Sequence, residues 1–461
     1  MIVEPRDGNV GKNRLWFEQA LLPGGWASDV LMTVLDGLIL DVAADVARPA
    51  DEPAHGAAVP GLGNLHSHAF QRGMAGLAEV GGPVGDTFWT WRETMYRFVG
   101  RMGPDEVEAV AALAYVEMIE GGFTRVGEFH YLHHDLGGRA YDNPAEMAER
   151  IAAAAAISGI GLTLLPVFYA HSGFGGLPPA ASQKRFVHDL DSFARLLEAS
   201  RTAIAPIEDG VLGVAPHSLR AVTAEELATL IELAGGGPIH IHIAEQRKEV
   251  DDCLAWSGQR PLEWLLSRAP VGANWCLVHA THATARELRQ VVRRQAVAGL
   301  CPITEANLGD GIFPAKVFRD FGGAFGVGSD SNVLIDPAEE LRTLEYAQRM
   351  TRRARNVLSG GAGRSTGGDL FRAALAGGAQ VLGVPAGFVA GAAADIVAFD
   401  TGQPGLAARR GDALLDSWMF GGARAVDAVW RRGRKLVSGG RHHARAGVEA
   451  RYRQALTRLL A

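Results

Sequence analysis

Eight short apolar runs separated by longer stretches of helical periodicity constrain this chain more than any other feature. They cover residues 59–66, 125–131, 161–169, 211–218, 238–245, 275–280, 297–304 and 324–330. Parallel strands cannot be joined by a tight turn and need a crossover, so strand-then-helix alternation on this scale predicts a parallel sheet. Eight repeats predict its closure into an α/β fold, a (β/α)8 barrel of TIM type. Nearly every run ends in a polar or ionisable residue. In such a barrel the C-terminal strand ends share one mouth, so these endings are expected to converge there.

Both ends of the chain read differently. Arg14–Leu22 and Val30–Val42 have strand character, with Asp36-Gly37 as a tight hairpin turn that requires positive φ. Ala394–Asp400 and Ala428–Gly439 repeat that character, the latter around a turn at Gly433. The ends are therefore expected to pair into a small discontinuous β-sandwich domain. The expected division is 1–58 and 386–445 for the two parts of the β domain, 59–385 for the barrel, and 446–461 for a terminal helix. The Gly-rich patch 360–369 is expected to be a plain connection, since it lacks the Gly-Lys-Ser/Thr ending of a phosphate cradle.

A net charge of −6 and a pI near 6.2 give no basic field for nucleic acid or an anionic membrane, which favours a small diffusing substrate. The uncharged stretch Ile151–Ala170 is long enough to span a bilayer, but Gly159, Gly161 and Pro166 mark a helix end, a turn and a buried strand. The opening MIVEPRDGNV lacks the basic start and apolar run of a secretory signal. Cys253, Cys276 and Cys301 are odd in number and form no CxxC pair; they read as buried small hydrophobes in a reducing cytoplasm.

His66 and His68 end the first run as His-Ser-His, and a two-residue step on a strand points both imidazoles to one side. Chance alone supplies many such pairs. Here His242 ends the fifth run, His279 the sixth and Asp330 the eighth. Catalytic zinc takes nitrogen and carboxylate ligands and leaves a position open for water. His66, His68, His242 and Asp330 are the expected ligands, with Glu245, three residues past His242, as proton shuttle and His279 as hydrogen-bond partner of the reacting groups. One divalent ion is expected, zinc before iron or manganese. The five lysines, Lys12, Lys184, Lys248, Lys316 and Lys435, lie outside the strand runs, leaving no candidate bridge between two metals. His240 is expected to be a core residue, and His55, His188, His442 and His443 surface ones; His130, His133, His134 and His171 are left open.

The segments GLGNLHSHAFQRGMAG, APHSLRAV, HIHIAEQ, LVHATH, NLGDGIFP and GVGSDSN resemble the deaminase branch of the amidohydrolase superfamily. HAFQRGMAG, TFWTWRE and PHSLRAV narrow the resemblance to the formimidoylglutamate deiminases, over essentially the whole chain. The resemblance implies metal-dependent hydrolysis of N-formimidoyl-L-glutamate to N-formyl-L-glutamate and ammonia, in histidine degradation. Asp330 and His279 would help deprotonate the attacking water and Glu245 would protonate the departing nitrogen. A dicarboxylate substrate needs guanidinium partners. Arg92 and Arg220, in loops that follow strands, are the expected anchors, with Gln71, Tyr131 and His217 as hydrogen-bond partners and Trp89 and Trp91 as loop packing. A homodimer is implied by the resemblance alone.

Three other readings compete. A ring deaminase such as guanine deaminase would share the metal set but have little use for two guanidinium groups. Imidazolonepropionase would also handle a carboxylate. A non-catalytic metal-binding barrel would fill every ligand position and leave Glu245 without a task.

Overall fold

The computed structural model describes residues 12–82 and 85–461. The first ten residues, read above for a secretory signal, lie outside the described residues. Barrel strands form where the runs were expected, with corrected ends: Leu62–Ser67, Phe123–His130, Gly161–Phe168, Ile239–Ile243, Trp275–His279, Val297–Leu300 and Phe325–Val327. The fourth run splits into Val211–Leu212 and Ala215–Pro216, with the Gly213 amide between them donating to the Leu164 carbonyl. All neighbouring barrel strands pair in parallel. Bridges Ser67 to Asp330 and Val214 to Ile239 join the two arcs into a ring. The strands Phe123–His130 and Gly161–Phe168 are buried at every position, as expected where helices cover one face and barrel packing fills the other.

Local chemistry sets the crossovers. The helix Pro104–Gly121 starts with Pro at its first turn and stops at Gly122 in the left-handed region. Thr223 and Glu226 form a capping box at the start of Ala224–Ala234. The helix Glu146–Ser158, its Gly159 cap and the strand Gly161–Phe168 account for the long uncharged stretch. Among the described residues no helix is long and apolar enough to cross a membrane.

The β domain is one continuous eight-stranded sheet rather than two separate ones. Its order is Arg441–His442, Arg434–Ser438, Val426–Arg431, Ile396–Phe399, Ala54–Pro60, Asn13–Leu22, Gly25–Leu35 and Leu38–Ala43. Leu38 at one edge bridges to Ala393, so the sheet curls back on itself around Phe17, Met32, Ile396 and Trp430. Asp36-Gly37 (φ 51° and 80°) and Arg432-Gly433 (φ 49° and 69°) form two of its two-residue hairpin turns. The run 59–66 straddles the passage between the two parts: Pro60 pairs with Ile396 in the sheet, and the barrel begins at Leu62.

Four further expectations are corrected. The seventh run ends at Leu300 because Pro302 opens a helix, Pro302–Leu308, within what had read as a strand. TFWTWRE is no loop but the start of the helix Phe88–Val99, capped by Thr87. In the Gly-rich patch, Ser365 caps a helix that starts at Thr366. His188 and His442 are buried, the latter with its Nε2 2.8 Å from the Ser158 carbonyl, which removes a polar ring from water without leaving it unpaired.

Candidate active site

Three imidazoles and a carboxylate meet at the mouth. His66 is the penultimate residue of Leu62–Ser67 and His68 follows that strand, and their Nε2 atoms are 3.2 Å apart; His242 Nε2 is 3.0 Å from His66 Nε2. Asp330 Oδ1 stands 3.4 Å from His66 Nε2 and 3.2 Å from His68 Nε2. His68 Nδ1 donates to the Phe129 carbonyl at 2.9 Å and His242 Nδ1 to the His217 carbonyl at 3.0 Å, which leaves Nε2 of each as a lone pair directed inward. Burial pulls the proton affinity of His66 down to about 3, so its ring is neutral. Crowded lone pairs with no proton to share repel one another, and a divalent cation among them removes that repulsion. The four residues offer ligand atoms within 4.8 Å of one another, and this donor set fits a metal ion.

The neighbouring groups are held from behind. Glu249 accepts the Ala244 amide at 2.9 Å and the Glu245 amide at 3.0 Å, fixing the turn that carries Glu245. Glu305 Oε1 lies 3.3 Å from His279 Nδ1 and accepts the Cys301 amide. The other nitrogen of His279 faces Asp330 Oδ2 at 3.8 Å and Glu245 Oε1 at 4.0 Å, gaps that leave room for a reacting group. Burial opposes a charge on His279, but Glu245, Glu305 and Asp330 around it raise its proton affinity to about 10. Ala244, His279, Ala280, Asp330 and Asn332 all have positive φ between 43° and 67°. Strain concentrated at strand ends is the signature of a site whose side chains must be aimed inward.

One cavity joins these groups to the expected substrate residues. Gln71, Arg92, Tyr131, His217 and Arg220 line it together with His68, His242, Glu245, His279 and Asp330. Gln71 Nε2 donates to Tyr131 Oη at 2.8 Å. The Arg92 guanidinium lies 4.6 Å from the Trp89 ring centroid and 5.5 Å from that of Tyr96, and Arg220 reaches the same Trp89 at 5.9 Å. Among the described residues neither arginine has a carboxylate in ion-pair distance, and each has a buried Nε without a hydrogen-bond partner. Trp89 thus stands beside both guanidinium groups as well as packing at the start of its helix.

Several members of the site escaped the sequence reading. Trp91, Met95 and Tyr96 reach the cavity from the helix Phe88–Val99, and Tyr169, Phe186 and Leu308 complete its wall. Glu249 and Glu305 were missed because nothing in one sequence marks a buried carboxylate as an orienting partner. His240 is a core residue, its Nε2 3.0 Å from the Val381 carbonyl. His130, His133 and His134 are buried beside His188, away from the cavity, and His171 faces Glu226.

The chain matches the amidohydrolase family model over residues 57–436 and the model of the formimidoylglutamate deiminase N-terminal domain over residues 15–56. It is 51% identical over 454 residues to formimidoylglutamate deiminase of Pseudomonas aeruginosa, covering 97% of this chain and 99% of that protein. The chain belongs to the formimidoylglutamate deiminase family of amidohydrolases. A crystal structure of an amidohydrolase from Brucella melitensis superposes with a TM-score of 0.95 at 53% identity, over 97% of this chain and all of that one. Other relatives are more distant. A 5-methylthioadenosine/S-adenosylhomocysteine deaminase of Natronomonas pharaonis is 28% identical over 82% of this chain and 81% of its own length. A zinc-bound adenosine deaminase of Xanthomonas campestris shares the fold at a TM-score of 0.80 and 22% identity, over 97% of this chain and 98% of that one.

Proposed function

We propose that the protein hydrolyses N-formimidoyl-L-glutamate to N-formyl-L-glutamate and ammonia, using one divalent ion, zinc by expectation, held by His66, His68, His242 and Asp330. The observation that carries the substrate is the pair of guanidinium groups, Arg92 and Arg220, that line the cavity with no carboxylate in ion-pair distance among the described residues. A cation left unpaired in a partly buried pocket is costly unless the ligand neutralises it. A flat neutral ring would leave both arginines unpaired, which disfavours the guanine deaminase alternative, and the full-length likeness to a formimidoylglutamate deiminase points the same way.

A bound divalent ion supplies Lewis acidity, making water acidic enough to serve as a nucleophile near neutral pH. The chain's residues do the rest. Arg92 and Arg220 take the two carboxylates, with Gln71, Tyr131 and His217 as hydrogen-bond partners that set the distance from those carboxylates to the formimidoyl carbon. Asp330 Oδ2 accepts the proton of the attacking water, while His279, protonated near neutral pH, donates from Nε2 and stabilises the negative charge that develops on that oxygen. Glu245 Oε1 delivers one proton to the imino nitrogen as the oxygen adds to carbon; the proton taken by Asp330 reaches the same nitrogen as the C–N bond breaks, so ammonia leaves, and the hydroxyl on carbon returns its remaining proton to Glu245 as it becomes the formyl carbonyl. Glu305 keeps His279 in the orientation this requires, and Glu249 does the same for Glu245.

The test is a substrate panel with product identification by mass spectrometry: N-formimidoyl-L-glutamate, guanine and imidazolonepropionate offered to the metal-loaded protein. Formation of N-formyl-L-glutamate from the first alone is expected. Turnover of either ring compound at a comparable rate contradicts the assignment.

A further inference from the structure

The loop NLGDGIFP brings a second acid behind Glu245. Asp310 is buried. Its Oδ1 accepts a hydrogen bond from Gln246 Nε2, the side chain next to Glu245, and its amide donates to the Glu305 carbonyl at 3.0 Å. It is thus tied on one side to the residue beside the proton shuttle and on the other to the residue that orients His279. Its second oxygen, Oδ2, is buried without a partner, and among the described residues no cation pairs with it. Among the described residues two more buried polar atoms, Thr281 Oγ1 and His282 Nε2, lack hydrogen-bond partners, and Gly311 lies beside the Thr281 methyl and the His282 ring.

We propose that Asp310 carries its proton at neutral pH and is a positioning residue for Glu245, bracing the Glu245-Gln246 turn with a neutral carboxyl that adds no second negative charge beside the shuttle. A buried carboxylate with a bare oxygen and no counter-ion is strongly disfavoured, whereas a protonated one becomes a donor at that oxygen. The charged and titratable groups facing it are Glu245, His279, Glu305 and His282. Burial first, then the nearby Glu245, push its proton affinity up to about 9. When Asp310 does ionise, two carboxylates oppose each other and Glu245 holds its proton too tightly to cycle. Asp310 ionisation therefore sets the alkaline limit of turnover. This role rests on the reaction proposed above.

Asp310→Asn is the isosteric mimic of the protonated acid: its carbonyl accepts from Gln246 and its amide donates in place of the hydroxyl. The metal-loaded full-length enzyme and this variant would be compared by the pH profile of kcat and by infrared difference spectroscopy of the protonated-carboxyl stretch. Asp310→Asn is expected to keep neutral-pH kcat within about twofold, leave the acid limb in place, move the alkaline limb upward and lose one protonated-carboxyl band. Asp310→Ala, which drops the Gln246 bond, is expected to lose about tenfold, with Asn restoring what Ala loses. An acid limb displaced to lower pH in Asp310→Asn, or an unchanged infrared spectrum, overturns the proposal. The infrared measurement does not depend on turnover, so failure of the reaction assignment and failure of this role are read separately.

Discussion

Replacing Arg92 by Met tests the carboxylate clamp with little disturbance of the fold. The guanidinium sits partly buried 4.6 Å from the Trp89 ring and has no carboxylate in ion-pair distance among the described residues, so on the proposed reading the substrate supplies its counter-charge. Met keeps the length and the apolar stem while removing the donors. A hydrogen bond to a charged group contributes roughly 1.5–3 kcal/mol, so removing both prongs of a guanidinium fork costs about 3–5 kcal/mol, of which part returns through water. At about 1.4 kcal/mol per factor of ten, kcat/KM should fall about 10²–10³-fold. Most of that should appear in KM, because the carboxylate is bound equally in ground and transition states. Lys should recover only part of the loss, since it lacks the planar fork. Ammonia release over a substrate series measures this, beside metal content and thermal midpoint, which should both stay at the wild-type level. A kcat/KM within threefold of wild type, with metal and fold retained, would refute the clamp.

Two further changes probe other links. Glu245→Gln keeps the bonds from Glu249 to the backbone but removes the transferable proton, so kcat should fall about 10²–10⁴-fold with metal content unchanged, checked by single-turnover ammonia release. Asp209 joins two buried guanidinium groups, Arg125 and Arg431, across the barrel-to-sheet junction. Burial raises its proton affinity, but Arg431 and Arg125 outweigh that and hold it below the usual carboxylate range. With the folded value depressed, its contribution is present above the unfolded value near about 4 and is lost as pH falls through the folded one. Asp209→Asn should destabilise by about 3 kcal/mol at pH 7 in denaturant titrations, and the gap to wild type should close in acid.

The candidate metal and proton-transfer residues could be picked out because each lies at or just past a strand end, where apolar periodicity marks the strand and the break in it marks the residue. His-Ser-His, His242, His279 and Asp330 all follow that rule. The helix Phe88–Val99 was not legible: its aromatic and charged residues alternate without a single apolar face, because one side packs on the core through Met95 and Phe98 while another lines the cavity through Trp91, Arg92 and Tyr96. Thr87 with Thr90 was the local signal that a helix begins there. The seventh strand was read too long because Ile303 and Thr304 suit a strand as well as a buried helix, and only Pro302 distinguishes them. Glu249 and Glu305 were invisible for a different reason. Their work is to satisfy backbone amides and an imidazole, interactions that exist only once the loops close.

The most direct test of the account is metal titration of the metal-free protein, followed by ammonia release from N-formimidoyl-L-glutamate. Activity should be absent without metal and rise linearly with added zinc to a plateau at one ion per chain. Full turnover by the metal-free protein, or a plateau only at two ions, would contradict a site built from His66, His68, His242 and Asp330 around a single metal.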